Sequence, residues 1–222
     1  MTFLLDDWLN ELIIKIKNVF AEKIVFIGLQ GSYKRKEADD GSDIDIVVIL
    51  NTLTLQDLEK YKAIIAKMPY KEKACGFISG QKEIICWDKS ELFQFYYDTK
   101  PIYGNLDYLL PLIEKTEIKR AIKKGACNLY HVCCHNFIYE KNVEILIALY
   151  KSAFFILQAK YFHEKGHYIS SKAELVKHLQ GLDVEILNIC INRKRLKTLD
   201  ESELSIYADK ILIWSSCLLQ SY

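Results

Sequence analysis

Residues whose types and spacing are typical of a catalytic site lie between positions 28 and 50, in the segment GLQGSYKRKEADDGSDIDIVVIL. Gly31 and Ser32 follow a short apolar run. After ten further residues, Asp43 and Asp45 flank an isoleucine at the start of a second apolar run. Alternate residues of a strand point to the same side, so the two carboxylates should project together while the isoleucine faces the opposite, buried side. The pattern therefore combines a pair of carboxylates with a glycine-serine turn.

The two carboxylates predict a metal site. Carboxylates a few ångströms apart repel each other, and both stay ionised only when a cation lies nearby. Their oxygens suit Mg²⁺, which keeps coordination positions open for substrate phosphates. Two such ions, about 4 Å apart, can hold both the attacking and the leaving oxygen of an in-line displacement. Asp43 and Asp45 are therefore the candidate metal ligands and catalytic residues, and two Mg²⁺ ions are the expected cofactor.

The glycine-serine turn predicts a phosphate site. Gly31 lets the backbone approach a phosphate closely, and the following amides and the Ser32 hydroxyl can donate to its oxygens. Arg35 is placed to meet the triphosphate tail, where the leaving pyrophosphate gathers charge. The alternative is a plain strand-turn-strand with a solvated acidic loop, which residues 39–42 alone would indicate. The turn followed at this spacing by two carboxylates inside an apolar strand favours the phosphate and metal interpretation.

Residues 31–35 and 42–47 together resemble the signature of the polymerase-β-like nucleotidyltransferase superfamily. The resemblance implies a small mixed sheet flanked by helices. It also implies that the glycine-serine turn binds the phosphates of a nucleoside triphosphate (NTP). The two aspartates would then bind two Mg²⁺ ions, and the chain would be a nucleotidyltransferase that binds NTP and magnesium.

Residues 145–179 resemble the helical domain of aminoglycoside adenylyltransferases of the streptomycin/spectinomycin type. In that family a helix is followed by a glycine and then by a serine-lysine pair that opens the next helix; here these are Gly166, Ser171 and Lys172. The resemblance implies that Lys172 reaches the nucleotide phosphates. It also implies that the NTP is ATP, that AMP is transferred, and that the acceptor is a small molecule.

The superfamily usually has a third carboxylate on a strand beside the aspartate pair, and this sequence departs from that pattern. Counting back from Trp87, by analogy with the superfamily, leads to Cys75 and Gly76, which cannot serve as such a base. Glu83 is the first choice for the missing carboxylate, and Glu72 and Asp88 are alternatives. Glu144 of the helical half could also supply the base. A catalytically weakened relative that binds nucleotide without turnover is a further alternative.

The surrounding elements predict an α+β fold of two domains. Apolar residues at three- and four-residue steps predict a helix over residues 4–20. Short apolar runs predict strands at 23–29, 44–50, 74–79 and 83–87, and helices are predicted at 54–68 and 90–97. Only helical patterns follow, at 117–139, 142–165, 171–179 and 200–219. We therefore expect a nucleotidyltransferase domain over residues 1–104 and a helical bundle over residues 105–222.

Composition narrows the function classes. A net charge of +1 over 222 residues gives no basic excess, which argues against nucleic acid as the partner. Seven cysteines without a framework spacing indicate reduced thiols. The N-terminus lacks the features of a signal peptide. The apolar stretch 145–159 is interrupted by Lys151 and is too short to span a bilayer. A cytoplasmic location without membrane attachment is expected.

Three classes of acceptor remain open. An antibiotic-adenylating enzyme would need acids in the acceptor cleft, for which Asp98, Glu144 and Glu164 are candidates. A toxin–antitoxin-type nucleotidyltransferase would act on or bind a protein, although such proteins are usually shorter. An RNA-acting enzyme would need a basic groove, and residues 192–197 form the only dense basic cluster. The acceptor, the NTP base and the oligomeric state are not determined by the sequence.

Overall fold

A computed structural model describes residues 4–222. The chain divides into two compact units, one ending at Leu112 and the other formed by Ile113–Tyr222. The elements of the first unit are α1 (Leu5–Phe20), β1 (Ile24–Gln30), α2 (Gly31–Lys34), β2 (Ile44–Leu50), α3 (Leu55–Ile65), β3 (Ala74–Gly80), α4 (Gln81–Ile85), α5 (Lys89–Tyr97) and β4 (Lys100–Tyr103). Short 3₁₀ helices lie at Ala21–Lys23, Lys71–Lys73 and Asp107–Leu112.

The four strands form one mixed sheet in the order β3-β2-β1-β4. Strand β1 is antiparallel to both β2 and β4, whereas β2 and β3 are parallel. The register places Asp45 opposite Gln30 on one side and opposite Cys75 on the other. The start of β2 therefore lies beside the end of β1 and the start of β3.

Both faces of the sheet are covered. On one face, α1 and α3 bury alternate residues of the central strands, including Ile44, Ile46 and Val48. The intervening residues Val47 and Ile49 are also buried. They lie on the second face, where Phe77 of β3 contacts Phe95 of α5 with ring centroids 5.1 Å apart. Since alternate residues share a face, Asp45 lies on the same face as α5.

Two short elements differ from the sequence expectation. Residues 83–87, expected to form a strand, belong to helix α4 and the turn after it. The apolar run there is too short for its period to distinguish the two structures, and only Ile84 is buried. Conversely, β4 was not expected, because this short segment includes Pro101 and has no apolar run. In the structure its four residues are all exposed. Only its pairing with β1 makes β4 a strand.

The sequence predicted a domain boundary between residues 104 and 105, whereas the two units of the structure divide between Leu112 and Ile113. The 3₁₀ helix Asp107–Leu112 contacts α5, and the Tyr96 hydroxyl donates to Asp107 Oδ1 at 3.1 Å. These residues are therefore part of the first unit.

The second unit is entirely helical. Its α-helices are α6 (Lys115–His135), α7 (Val143–Lys165), α8 (Lys172–Leu175), α9 (Gly181–Ile191) and α10 (Glu201–Ser221). A π-helical turn, Asn136–Glu140, follows α6, and 3₁₀ turns lie at Val176–His178 and Arg193–Thr198. Helix α9 was not expected, since its apolar residues do not follow a clear helical stripe. Helix α7 contacts α6, α9 and α10 and forms the centre of the unit.

Helix α7 is longer than the apolar stretch recognised in the sequence. It has 23 residues, and by length and composition alone it could cross a membrane. Half of its most apolar window is nevertheless buried inside the unit, around residues such as Tyr150, Phe154 and Leu157. A helix that is apolar on all sides is typical of either a bilayer span or a protein core. The packing against α6, α9 and α10 is that of a core helix.

Asp57 gives a test of how the first unit is held together. This carboxylate is 2% exposed, caps α3 in a reciprocal capping box with Thr54, and accepts from Lys23 Nζ at 2.7 Å. The hydrogen bonds from Lys23 and Thr54 lower its pKa to about 2. A carboxylate with a lowered pKa in the folded state stabilises the fold above its unfolded pKa of about 4, and this effect disappears as the pH falls through 2.

We therefore expect Asp57→Asn to lower the urea midpoint of unfolding at pH 7 and to have little effect near pH 2. Urea unfolding of both proteins at several pH values between 2 and 7 measures the difference. A difference that stayed constant across this range would show that the charge of Asp57 does not stabilise the fold.

Candidate active site

The glycine-serine turn, residues 30–35, connects the end of β1 to the loop before β2. Gly31 has φ +72° and begins the single turn of α2. The Arg35 amide closes this turn by donating to the Gly31 carbonyl oxygen at 3.1 Å, and the Glu37 amide donates to the Ser32 carbonyl oxygen at 2.8 Å. The chain therefore reverses tightly at the end of β1 and leaves Ser32 half-buried in the first turn of α2.

The carboxylate of Asp45 lies directly against this turn. A Cβ atom placed on Gly31 would be 1.9 Å from Asp45 Oδ2. Ile44 is fully buried in the core, whereas Asp43 is exposed and Asp45 is half-buried. Asp45 and the turn therefore meet at one end of the inner strands, and Asp43 immediately precedes β2 at the same end. A glycine is required at position 31 because Asp45 occupies the space of a side chain.

The donor set suits a divalent cation. Asp43 and Asp45 supply hard oxygen ligands, and the carboxylate of Asp45 lies against the glycine-serine turn. Among residues 4–222, no group of three or more His, Cys, Asp or Glu side chains is arranged to hold a metal ion. Mg²⁺ is often bound through only one or two carboxylates, with water and substrate phosphates completing its coordination. The two aspartates fit that arrangement.

Glu83 does not lie at the end of the sheet where Asp45 meets the turn. Its Oε2 lies 2.0 Å from the position that a Cβ atom on Gly80 would take, and Gly80 pairs with Leu50 at the far end of β2. Asp45 and Leu50 are five positions apart, about 16 Å along a strand. Glu83 therefore lies at the opposite end of the sheet, because the chain enters α4 after β3 instead of turning back as a strand. The residue beside Asp45 on β3 is Cys75.

Arg35 is buried among carboxylates. Its side chain is 6% exposed, its guanidinium Nη1 contacts Asp98 Oδ2, and its Nε lies 3.3 Å from Glu37 Oε2. The structure thus holds Arg35 at the base of the turn, whereas the sequence suggested direct contact with a triphosphate.

Asp98 is the site residue whose position the sequence did not reveal. It follows α5 and is 6% exposed. Besides Arg35, its carboxylate lies 3.5 Å from Lys34 Nζ, and the nearby Gly31 amide helps to lower its pKa. Burial raises the pKa of Asp98, and the charges of Arg35 and Lys34 oppose this rise. One signal existed: an acid at a helix C-terminus is unfavourable, so such an acid needs a compensating partner.

The other contacts of the turn go to the same segment, residues 95–99, which we call the α5–β4 junction. Gln30 Nε2 donates to the Phe95 carbonyl oxygen at 3.2 Å and to Thr99 Oγ1 at 2.5 Å. Lys34 Nζ donates to the Tyr97 carbonyl oxygen at 3.0 Å. The turn is therefore fixed along its whole length by the end of α5.

Lys172 lies in the second unit, in the first turn of α8. Ser171 caps this helix by accepting from the Glu174 amide at 3.3 Å. The buried Gln158 of α7 donates to the carbonyl oxygens of Ile169 and Ser170 at 2.8 and 3.1 Å, which fixes the preceding loop. Lys172 Nζ lies 4.4 Å from the centre of the Phe154 ring. The serine-lysine pair is thus held on the core helix of its unit.

The family model of the nucleotidyltransferase domain matches residues 13–124, just over half of the 222 residues. The chain belongs to this family. It is a transferase enzyme with the polymerase-β-like nucleotidyltransferase fold, and enzymes of this fold generally use divalent metals. The match includes the turn, both aspartates and all four strands.

One solved structure of similar fold is spectinomycin adenyltransferase AAD(9) from Enterococcus faecialis, determined with ATP and spectinomycin. The likeness has a TM-score of 0.56 at 17% identity, and it covers 96% of this nucleotidyltransferase and 98% of the neighbour. At that identity the likeness concerns the fold, which extends through the helical unit. No curated protein sequence matches the chain.

Three acidic residues of this nucleotidyltransferase were candidates for binding the acceptor, and their surroundings differ. Asp98 is buried beneath the turn and is not available to a solvent-exposed acceptor. Glu144, at the start of α7, is exposed and lies 2.7 Å from Lys197 Nζ. Glu164, near the end of α7, accepts from the Tyr222 hydroxyl at 3.1 Å. Among these three, Glu144 and Glu164 remain acceptor candidates.

Gly31→Ala should destabilise the nucleotidyltransferase more than backbone strain alone explains. A positive φ costs a non-glycine residue about 1–2 kcal/mol, and the new methyl group would also collide with Asp45. Gly166→Ala is a matched control, since Gly166 has φ +71° and nothing lies within 4 Å of the added Cβ. Urea unfolding measures both losses. Equal losses for the two variants would contradict the close approach of Asp45 to the turn.

Proposed function

We propose that the protein transfers AMP from ATP to a hydroxyl group of a small-molecule acceptor, with two Mg²⁺ ions. The observation that supports this most directly is the contact of the Asp45 carboxylate with the backbone of Gly31. That contact joins one candidate metal ligand to the candidate phosphate-binding turn within one unit. Neither group alone would indicate nucleotidyl transfer.

In this proposal the residues of the site divide the work of an in-line displacement. The Ser32 hydroxyl and the amides that follow Gly31 donate to the phosphate oxygens. Asp43 and Asp45 would hold the ions, which supply charge neutralisation on the α-phosphoryl group and at the attacking and leaving oxygens. The acceptor oxygen forms a bond to the α-phosphorus and loses its proton, while the bond to the β-phosphate oxygen breaks and pyrophosphate leaves.

Two cationic side chains assist this reaction in different ways. Lys172 is proposed to balance charge on the pyrophosphate, as the resemblance of its serine-lysine motif implies. Arg35 is proposed to support the turn, because its guanidinium is buried against Asp98 and Glu37. Glu83 has no part in the proposal, since it lies at the other end of the sheet.

The proposed acceptor class rests on the helical unit. The structural neighbour, crystallised with ATP and spectinomycin, shares both units with this chain over almost its whole length. The near-neutral net charge gives no basic excess for a nucleic-acid acceptor. Together these points favour a small hydroxylated molecule over RNA or a protein.

A pyrophosphate-release screen tests the function. The protein, with Mg²⁺ and each NTP in turn, is incubated with spectinomycin, other aminoglycosides, simple polyols and tRNA. We expect release with ATP and an aminoglycoside-like acceptor. Asp43→Asn should reduce that rate about 100-fold or more without unfolding the protein, because a metal ligand is lost.

Asp40→Asn is the matched control for this variant, since Asp40 is an exposed aspartate in the loop that precedes Asp43. It should leave the rate close to that of the wild type. A folded Asp43→Asn protein that retained turnover would refute the metal assignment. Pyrophosphate release only with tRNA would replace the small-molecule acceptor by RNA.

One observation favours a second candidate, a nucleotide-binding relative with weakened catalysis. The residue opposite Asp45 on the neighbouring strand is the exposed Cys75. The superfamily usually has a carboxylate on the strand beside the aspartate pair. A neutral thiol contributes little to Mg²⁺, which prefers oxygen ligands. In this alternative the site binds NTP and metal but turns over slowly.

Cys75→Asp tests this alternative. Adding a third carboxylate beside Asp45 should raise the affinity for Mg²⁺ and increase pyrophosphate release several-fold, because the metal gains an oxygen ligand. Cys86→Asp, at an exposed cysteine after α4, is the control and should have neither effect. Steady-state rates over a Mg²⁺ titration give both quantities. An unchanged or reduced rate in a folded Cys75→Asp protein would remove the support for weakened catalysis.

A further inference from the structure

Asp98 is a buried acid to which the proposed reaction gives no contact with substrate. Aspartate is rarely this buried unless it is paired. Here the bonded partners of the carboxylate belong to the glycine-serine turn: Lys34 Nζ lies 3.5 Å from its Oδ1, and the Arg35 guanidinium contacts its Oδ2. The Gly31 amide, at the start of the same turn, helps to lower its pKa.

Stability alone is a poor explanation for this cluster. The cost of removing two charges from water often exceeds the attraction between them, so a buried ion pair is weak evidence for stability. What such a pair does supply is a defined geometry, because the charged groups must meet in one arrangement to offset their desolvation. At this position the geometry that becomes defined is that of the turn.

The space around Gly31 leaves little freedom for the turn to move. On one side its amide is close enough to Asp98 to help lower the pKa of that carboxyl. On another side Asp45 Oδ2 lies where a side chain would begin, at 1.9 Å from an ideal Cβ position. The backbone of Gly31 thus lies between the buried carboxylate and a candidate metal ligand. A shift of the turn would change its distance to Asp45.

The remaining contacts of the turn also join it to the α5–β4 junction. Gln30, the residue before α2, binds the α5–β4 junction through Phe95 and Thr99, and Lys34 also donates to the Tyr97 carbonyl oxygen. The junction includes the end of a helix, where carbonyl oxygens attract cations. Asp98 is the residue of the junction whose carboxylate contacts both cationic side chains of the turn, Lys34 and Arg35.

We propose that Asp98 is a positioning residue, which sets the glycine-serine turn at the place where it binds the NTP phosphates. This inference rests on the proposed function and adds to it a residue that acts through the turn. Small displacements of groups that align a substrate can reduce rates strongly. Loss of the Asp98 charge should therefore weaken nucleotide binding in a protein whose metal ligands are intact.

The test compares Asp98→Asn with the wild-type full chain in three measurements. Amide hydrogen exchange without nucleotide reports the order of residues 30–35 and should be faster in the variant. The KM for ATP should rise about tenfold, in the range of one charge-assisted hydrogen bond, with a smaller change in kcat. The Mg²⁺ concentration that gives half-maximal rate should stay unchanged, because Asp43 and Asp45 are not altered.

Asp57→Asn is the matched control. Asp57 is also a buried carboxylate with a lysine partner in the first unit, but Lys23 lies beside Ile24, which pairs with Leu50 at the far end of β2. This control should lose stability without a change in KM or in exchange at the turn. If Asp98→Asn behaved in the same way, Asp98 would be a structural residue and the inference would be wrong.

Two other results would also overturn it. Tighter ATP binding by Asp98→Asn would show that the carboxylate competes with phosphates for Lys34 and Arg35. Unchanged exchange and KM would show that the turn does not need Asp98. If Asp98→Asn fails to fold, Asp98→Glu keeps the charge and displaces it by one methylene. Asp98→Glu should then raise the KM for ATP by less than the tenfold expected for Asp98→Asn, and it should speed amide exchange at residues 30–35 slightly. Unchanged exchange and KM in this variant would contradict the proposal.

Failure of the proposed function has a different signature. In that case the wild-type protein would neither bind ATP in equilibrium dialysis nor release pyrophosphate. The exchange measurement needs no nucleotide, so it still decides whether Asp98 orders the turn. Wild-type activity together with an unaffected Asp98→Asn variant would leave the proposed function in place and reject this inference alone.

Discussion

The site depends on the position of one glycine between two carboxylates. Gly31 has no side chain, so Asp45 can lie against its backbone, and its amide helps to lower the pKa of the buried Asp98. Acidic groups so close to one short turn repel each other unless cations are present. Lys34 and Arg35 supply positive charge on the side of Asp98. On the side of Asp43 and Asp45, the proposed divalent ions would do so.

This arrangement separates a fixed part of the turn from a part that can bind substrate. Three side chains, those of Gln30, Lys34 and Arg35, contact the α5–β4 junction and hold the turn on the sheet. The Ser32 hydroxyl and the following amides are the groups left to donate to phosphates in the proposed function. Arg35 illustrates the difference, since a side chain that is 6% exposed supports the site better than it reaches a solvated triphosphate.

In the helical unit, the packed core likewise fixes the position of a candidate site residue. Its central helix, α7, is apolar on most sides because other helices surround it. The buried Gln158 on this helix fixes the loop that leads to Lys172. A buried amide needs hydrogen-bond partners, and the two carbonyl oxygens of the loop provide them. The proposed nucleotide-binding lysine is therefore positioned by the core of its own unit.

Sequence alone determined the features that local patterns encode. Strand β2 was predicted with its observed bounds, since a buried strand reads as a continuous apolar run. The α+β class and the nucleotidyltransferase family were confirmed. The helices predicted from residues 54 and 200 are α3 and α10, whose caps are Thr54 and Asp200; each cap is a capping box, which involves residues only three positions apart.

Tertiary structure alone decided what depends on distant residues. Strand β4 exists through its pairing with β1, and residues 83–87 are not a strand because no period distinguishes so short a run. Arg35 and Asp98 meet across 63 residues of sequence, and Glu83 lies at the far end of the sheet through the path of the chain after β3. Local residue types show that a carboxylate is present, but only the folded chain determines which group it contacts.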